Sequence, residues 1–260
     1  KDERKEHRSK THQILGERAY SSSTSQIAHV DFFGKQLTRP YGTFSHPNVL
    51  GAYMIIFLVL AGLTKKTTKN SYVLSATSSI GILLSFSKSA LIAAFTYLFI
   101  IVKNPLLKIL FVLGFVFLIY IFINFLGQNQ IFSIAERLQL IQLSLEISSK
   151  NILFGTGANS FILELSKLDI ISIAQTRLLQ PVHNLFLLIL VETGLVGLAL
   201  FTSFLFFISA NIKSEKKQAL FIVIMIMASF DHFFWTIQQG QLLLWLSLAF
   251  LINSPKKTSP

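Results

Sequence analysis

Outside the basic N-terminal stretch and the lysine groups between apolar runs, side chains able to move a proton or hold an anion fall in a few short clusters. These are His46 with Asn48, Lys88, Arg137, His183-Asn184 and Asp231-His232. A neutral imidazole can accept a proton, and a lysine or arginine can neutralise an anionic group as a bond to it breaks. Thiolate and disulfide chemistry are excluded, because the chain has no cysteine. His46, His183, Asp231 and His232 are metal-ligand types, but no pair has the His-x-x-x-His spacing that sets two imidazoles on one helix face. No metal and no cofactor is therefore expected. Gly155-Thr156-Gly157 lacks the Lys-Ser/Thr of a phosphate-binding loop. Each cluster also has a plainer role open to it. His46-Pro47-Asn48 and His183-Asn184 suit helix caps, Lys88 could snorkel to an interface, Arg137 could pair with Glu136, and Asp231-His232 could bond to each other.

The elements that must position these residues are written in the composition. The chain is 52% hydrophobic and only 13% charged, with 25 phenylalanines. A soluble domain carries about 25% charged residues, so this one lacks the surface it would need in water. The net charge of +11 does not indicate nucleic acid binding, since the basic residues punctuate apolar stretches instead of forming a face. Seven apolar runs are candidate membrane spans: Val49–Leu63, Tyr72–Phe86, Ala90–Val102, Ile109–Leu126, Leu185–Ala210, Ala219–Trp235 and Ile237–Ile252. The second and third are short. Merging them would bury Lys88 near the bilayer centre, at about 2.5–3.5 kcal/mol or more. A hairpin with Lys88 at its tip avoids that cost.

With this hairpin the charges sort by side. Lys65/Lys66/Lys69, Lys103/Lys108, Lys213/Lys216/Lys217 and Lys256/Lys257 share one face, which the positive-inside rule makes cytoplasmic. The opposite connections hold every cluster named above. They include the long segment Gly127–Pro181, where Ile131, Ile134, Leu138, Ile141 and Leu145 recur at helical spacing. That stripe predicts an amphipathic helix on the outer leaflet, broken at Gly155-Thr156-Gly157 before a short helical run near Phe161–Leu168. Lys1–Pro40 reads as a solvated loop or an interfacial helix. Glu192 lies within the fifth span, where Gly194 and Gly197 suggest close helix packing and a hydrogen bond from the carboxyl to a neighbouring span.

The expected architecture is all-α, a polytopic transmembrane bundle of about seven spans with a large helical extracytoplasmic loop. Its parts are an outer loop at 1–45 after a missing upstream span, four spans at 46–126, the large loop at 127–182, three spans at 183–252 and a cytoplasmic tail at 253–260. Outside the cytoplasmic membrane a synthetic reaction must use a donor that carries its own energy. A lipid-linked pyrophosphate sugar meets that need, with Lys88 and Arg137 at the depth of its head group.

Several motifs then carry a likeness. In order they are Gly42-Thr43-Phe44-Ser45-His46-Pro47-Asn48-Val49-Leu50, Ser85-Phe86-Ser87-Lys88-Ser89-Ala90, Glu136-Arg137-Leu138, and Gly155-Thr156-Gly157 with Phe161. Pro181-Val182-His183-Asn184-Leu185, Glu192-Thr193-Gly194 and Asp231-His232-Phe233-Phe234-Trp235 follow. Together they resemble the O-antigen ligase and polymerase family from Arg39 to Leu251. The resemblance implies a bacterial cytoplasmic (inner) membrane protein with its site facing the periplasm or cell exterior. It implies metal-independent, inverting transfer from an undecaprenyl-pyrophosphate-type donor to a glycan, lipid or protein acceptor, with membrane lipids around the chain and no nucleic acid partner.

By the same resemblance His183 matches the general base and Arg137 a pyrophosphate ligand. Lys88 stands where the family usually has an arginine after a serine. Lysine keeps the charge but loses the forked donor geometry, so Arg39 is a candidate to share the role. Asn184, His46, Asn48, Asp231 and His232 are expected in support. Ligase and polymerase differ only in acceptor. A transporter subunit for glycans or lipids is the competing class, and it should show polar residues at the midplane, where this chain has little beyond Glu192.

Overall fold

The computed structural model describes residues 27–32, 35–63, 68–124, 128–168 and 178–252. Most of the predicted outer loop, Lys65, Lys66, part of the large loop and the predicted tail with Lys256 and Lys257 lie outside them. The described chain is mostly helical, as the apolar periodicity predicts, and it separates into two compact units, Lys1–Ala94 and Phe95–Pro260.

The first unit opens with an antiparallel hairpin. Strand β1 (His29–Phe32) pairs with β2 (Lys35–Thr38), His29 facing Thr38 and Phe32 facing Lys35. It lies within the stretch read as a loop or interfacial helix and adds strand to an all-α expectation. Two four-residue strands are too short to stand out as alternation in a polar stretch. Helix α1 (Pro47–Leu63) then packs on α2 (Lys69–Ser85). Thr68 and Ser71 form a reciprocal capping box at the start of α2. At its other end Phe86 adopts the left-handed conformation (φ 49°), and α3 (Lys88–Ile101) begins two residues later. The predicted separation of these two runs is therefore present, with Lys88 at the start of the second helix and exposed.

The second unit holds α4 (Pro105–Asn124), α5 (Gln128–Lys150), α6 (Phe161–Ser166), α7 (Leu185–Asn211), α8 (Glu215–Phe230), α9 (Phe233–Thr236) and α10 (Gln238–Ile252). Asn104 accepts from Leu106 and Leu107 N–H and so caps α4, whose first residue is Pro105. All seven apolar runs fall largely on helices. Only Leu185–Asn211 is both long and apolar enough to cross a membrane among the described residues. Pro47–Leu63, Lys88–Ile101, Pro105–Phe117 and Gln238–Ile252 are apolar but shorter. The sixth run also ends earlier than expected: α8 stops at Phe230, which leaves Asp231 and His232 in a connection outside the helices.

The core of this unit ties the large loop to the fifth run. Leu140, Leu143 and Ile147 of α5 pack with Phe161 and Leu165 of α6 and with Leu188 and Val191 of α7. The predicted stripe Ile134, Leu138, Ile141 and Leu145 lies on the other side of α5 and is exposed. Ile131 belongs to the same stripe, but its side chain is outside the described residues.

Helix α7 is not continuous. Gly194 has φ 70° and ψ −170°, a conformation open in practice only to glycine. The turn segment Ile152–Gly157 fills the gap. Thr156 and Gly157 N–H donate to Val191 and Glu192 carbonyls, while Leu195 and Val196 N–H donate to Ile152 and Leu153 carbonyls. A methyl group on Gly155 would collide with the Glu192 carbonyl. Gly194 was expected to serve helix packing; instead it breaks the helix to admit a loop.

Candidate functional site

At one end of the second unit, the start of α7 meets the end of α8. Asn184 caps α7 by accepting from Leu187 N–H at 2.9 Å. Its amide donates to the Ser229 carbonyl near the last turn of α8 at 3.1 Å. One residue thus satisfies orphan groups at two helix termini and fixes the position of its neighbour, His183. From α5, Arg137 donates to the Phe230 carbonyl at 3.3 Å, at the negative end of α8.

Asp231 follows Phe230 and is buried. Its Oδ1 accepts from His232 N–H at 2.9 Å and stands 3.6 Å from His183 Nδ1. His183 Nδ1 is itself buried and makes no hydrogen bond among the described residues, yet the side chain keeps 16% exposure on its other atoms. The ring therefore turns one nitrogen towards the carboxylate while another edge stays accessible. The carboxylate and the imidazole thus stand close together without a hydrogen bond between them.

His232 plays a different part. Its ring lies 5.3 Å from that of His183, and its Nδ1 bonds Thr236 Oγ1 at 2.7 Å. Burial drives its pKa down to about 4; Asp231 opposes the shift, and His183 and Arg137 add to it. At neutral pH His232 is uncharged, which leaves the Asp231 carboxylate to face His183. Thr236 was not anticipated, although its position four residues after His232 was a signal for this contact.

Glu192, at the break in α7, accepts from Trp235 Nε1 at 2.9 Å. The expected bond from its carboxyl to a neighbouring element is present. Trp235 sits in the single turn after His232, so the bond also ties the broken helix to the histidine connection. His183, Asp231 and His232 present ligand atoms all within 4.8 Å of one another, and they are the described residues able to hold a metal ion.

The remaining candidates belong to the first unit. Arg39 donates through Nε to the Ser85 carbonyl at 2.9 Å and through a terminal nitrogen to Asn48 Oδ1 at 2.8 Å. His46 Nδ1 accepts from Asn48 N–H at 3.1 Å, so His46 rather than Asn48 caps α1. Arg39, His46 and Asn48 thus form one network at the hairpin tip that carries Lys88.

At the opposite end of the second unit Lys103 pairs with Glu215, and Lys217 donates to the Phe250 and Leu251 carbonyls. Lysines of the predicted cytoplasmic set gather there, away from the histidines.

The family model for O-antigen ligase matches residues 73–202, half of the 260-residue chain. The chain belongs to the O-antigen ligase family. The match takes in Lys88, Arg137, Gly155–Gly157, His183, Asn184 and Glu192, while Arg39, His46, Asn48, Asp231 and His232 lie beyond it. O-antigen ligase membership makes this a bacterial membrane protein of polysaccharide and lipopolysaccharide synthesis, with lipid-linked glycans as its kind of substrate. No match was found among curated proteins.

Proposed function

We propose that this chain is an extracytoplasmic glycosyltransferase that moves a glycan from an undecaprenyl-pyrophosphate-type carrier to an acceptor hydroxyl. The pairing of His183 with the buried Asp231, beside a helix end held by Arg137, carries the reading. His183 takes the proton of the acceptor hydroxyl, whose oxygen attacks the anomeric carbon from the face opposite the leaving group. The bond from that carbon to the pyrophosphate oxygen breaks, and the lipid pyrophosphate departs with its electron pair. Asp231 holds the imidazole in orientation and stabilises the imidazolium that forms. Arg137, Lys88 and Arg39 neutralise charge on the leaving pyrophosphate.

In this reading the helices form seven spans, the His183 end faces outward, and the end with Lys103, Glu215 and Lys217 faces the cytoplasm. Ligase and polymerase activities use the same chemistry and differ in the acceptor. The transporter reading is weakened because Glu192, the polar group nearest mid-span, is already bonded to Trp235.

Purified protein in lipid vesicles, supplied with a lipid-linked oligosaccharide and candidate acceptor glycans, is the direct test. Transfer should proceed with an inverted linkage and should be unchanged by a chelator. Loss of transfer on chelation would instead assign His183, Asp231 and His232 to a divalent ion. Absence of transfer to every acceptor, with uptake of the lipid-linked glycan across the vesicle membrane, would favour the transporter.

A further inference from the structure

The turn after α5 exposes three consecutive large apolar side chains. Ile152, Leu153 and Phe154 are 42%, 56% and 76% exposed. A soluble surface does not hold such a run without a partner. They do not hang from a loose loop. The Ile152 and Leu153 carbonyls accept from Leu195 and Val196 N–H at 2.8 and 3.1 Å, and Gly155 N–H closes the turn onto the Asn151 carbonyl at 2.8 Å. Backbone carbonyls bonded in this way are a requirement for a segment surrounded by hydrocarbon.

Exposed apolar side chains lie on both elements next to the turn. Leu195, Val196 and Leu200 of the helix to which the turn is bonded are exposed, on the one helix among the described residues long and apolar enough to span a membrane. On the other side run Ile134, Leu138, Ile141 and Leu145 of α5, exposed while the opposite face of that helix fills the core. Lys150, directly before the turn, is exposed and has the length to reach lipid phosphate while its stem lies on apolar surface.

We propose that Ile152, Leu153 and Phe154 form a wedge inserted into the lipid leaflet on the His183 side of the span, continuous with the exposed stripe of α5. The occupant is bilayer lipid, because the wedge is bonded to the apolar Leu185–Asn211 helix beside its exposed Leu195 and Val196. The wedge is bonded to the span at its break, so the large loop is fixed at a set depth by a contact within the chain as well as by the lipid. This inference rests on membrane insertion of the Leu185–Asn211 helix and is independent of the transfer reaction.

The chain has no cysteine, so Phe154→Cys accepts a single polarity-sensitive fluorophore. Leu138→Cys reads the stripe without altering the turn, and Ala158→Cys samples an exposed position after it. In single-copy lipid nanodiscs, the labels at 154 and 138 should shift to the blue and lose most of their emission to nitroxide-bearing lipids. The label at 158 should instead be quenched by aqueous iodide. Iodide quenching at 154 equal to that at 158 would overturn the wedge, and the label at 138 shows whether the protein is otherwise correctly embedded. In discs that hold two chains, a blue-shifted label at 154 that nitroxide lipids fail to quench, and that reddens in single-copy discs, would assign the surface to a second copy and overturn the proposal.

Discussion

The two ends of the second unit each set a basic side chain against a carboxylate, and they differ in what water can reach. Lys103 and Glu215 approach to 2.7 Å with side chains 76% and 77% exposed. His183 and Asp231 stand 3.6 Å apart, but the carboxylate is only 6% exposed. Water and salt screen the exposed pair, and both of its side chains lose freedom to hold it. The longer contact lies where the dielectric is low and a charge left without its partner is costly. Withdrawal from water, more than close approach, distinguishes the His183 end from the Lys103 end.

The strongest way to break this comparison is His183→Ala. A general base contributes about 10²–10⁴-fold, so the variant should remain folded and bind donor while transfer falls by that factor. Normal turnover, measured in the vesicle assay, would remove His183 from the mechanism. Lys88 cuts across the comparison, because it is exposed yet proposed to act on the donor. Lys88→Ala should reduce transfer by about 10²–10³-fold, and Lys88→Arg should keep or raise it. Wild-type rates in the alanine variant, with Arg39 intact, would make Lys88 an interfacial anchor.

Acidification sharpens the contrast. His232 has its pKa lowered to about 4 in the folded chain, against about 6.5 in an unfolded one. Between these values the unfolded state binds more protons, so the stability tied to a neutral His232 is complete above about pH 6.5 and is lost as pH falls through about 4. Melting temperatures in detergent from pH 7 to 4 should fall more steeply for the wild type than for His232→Gln; parallel curves would mean that His232 is not held neutral by burial. The smallest effect belongs to the exposed end. Glu215→Gln should leave both transfer rate and melting temperature within error, and a marked drop in either would show that end to be more than an orientation signal.

What could be read from the sequence follows from which forces act locally. The apolar runs are legible because a helix surrounded by apolar matter must be apolar along its length, and Lys88 betrays the hairpin tip because its charge cannot lie mid-span. The gathering of His183, Asn184, Arg137, Asp231 and His232 was also legible, since it needs only the ends of antiparallel helices to meet. The break at Gly194 was not. Its partners are some 40 positions earlier, roughly the separation of Leu153 from Val196, and no local pattern reports such pairing. A glycine in an apolar run signals packing as readily as a break. The β1–β2 hairpin escaped notice for a related reason, its short strands carrying no strong alternation.

The segment Ile152–Gly157 also bears on how the chain comes into being. Synthesis runs from the N-terminus, so the segment emerges before the helix whose interruption it fills. Until Leu185–Asn211 arrives, the Ile152 and Leu153 carbonyls have to find water, and until the segment docks, the Val191 and Glu192 carbonyls lie open beside an incomplete helix. Neither piece can reach its final state alone. Substitution of Gly155 would then act at birth, as failed assembly and early degradation, and a survey of purified enzyme would never register it as lost activity.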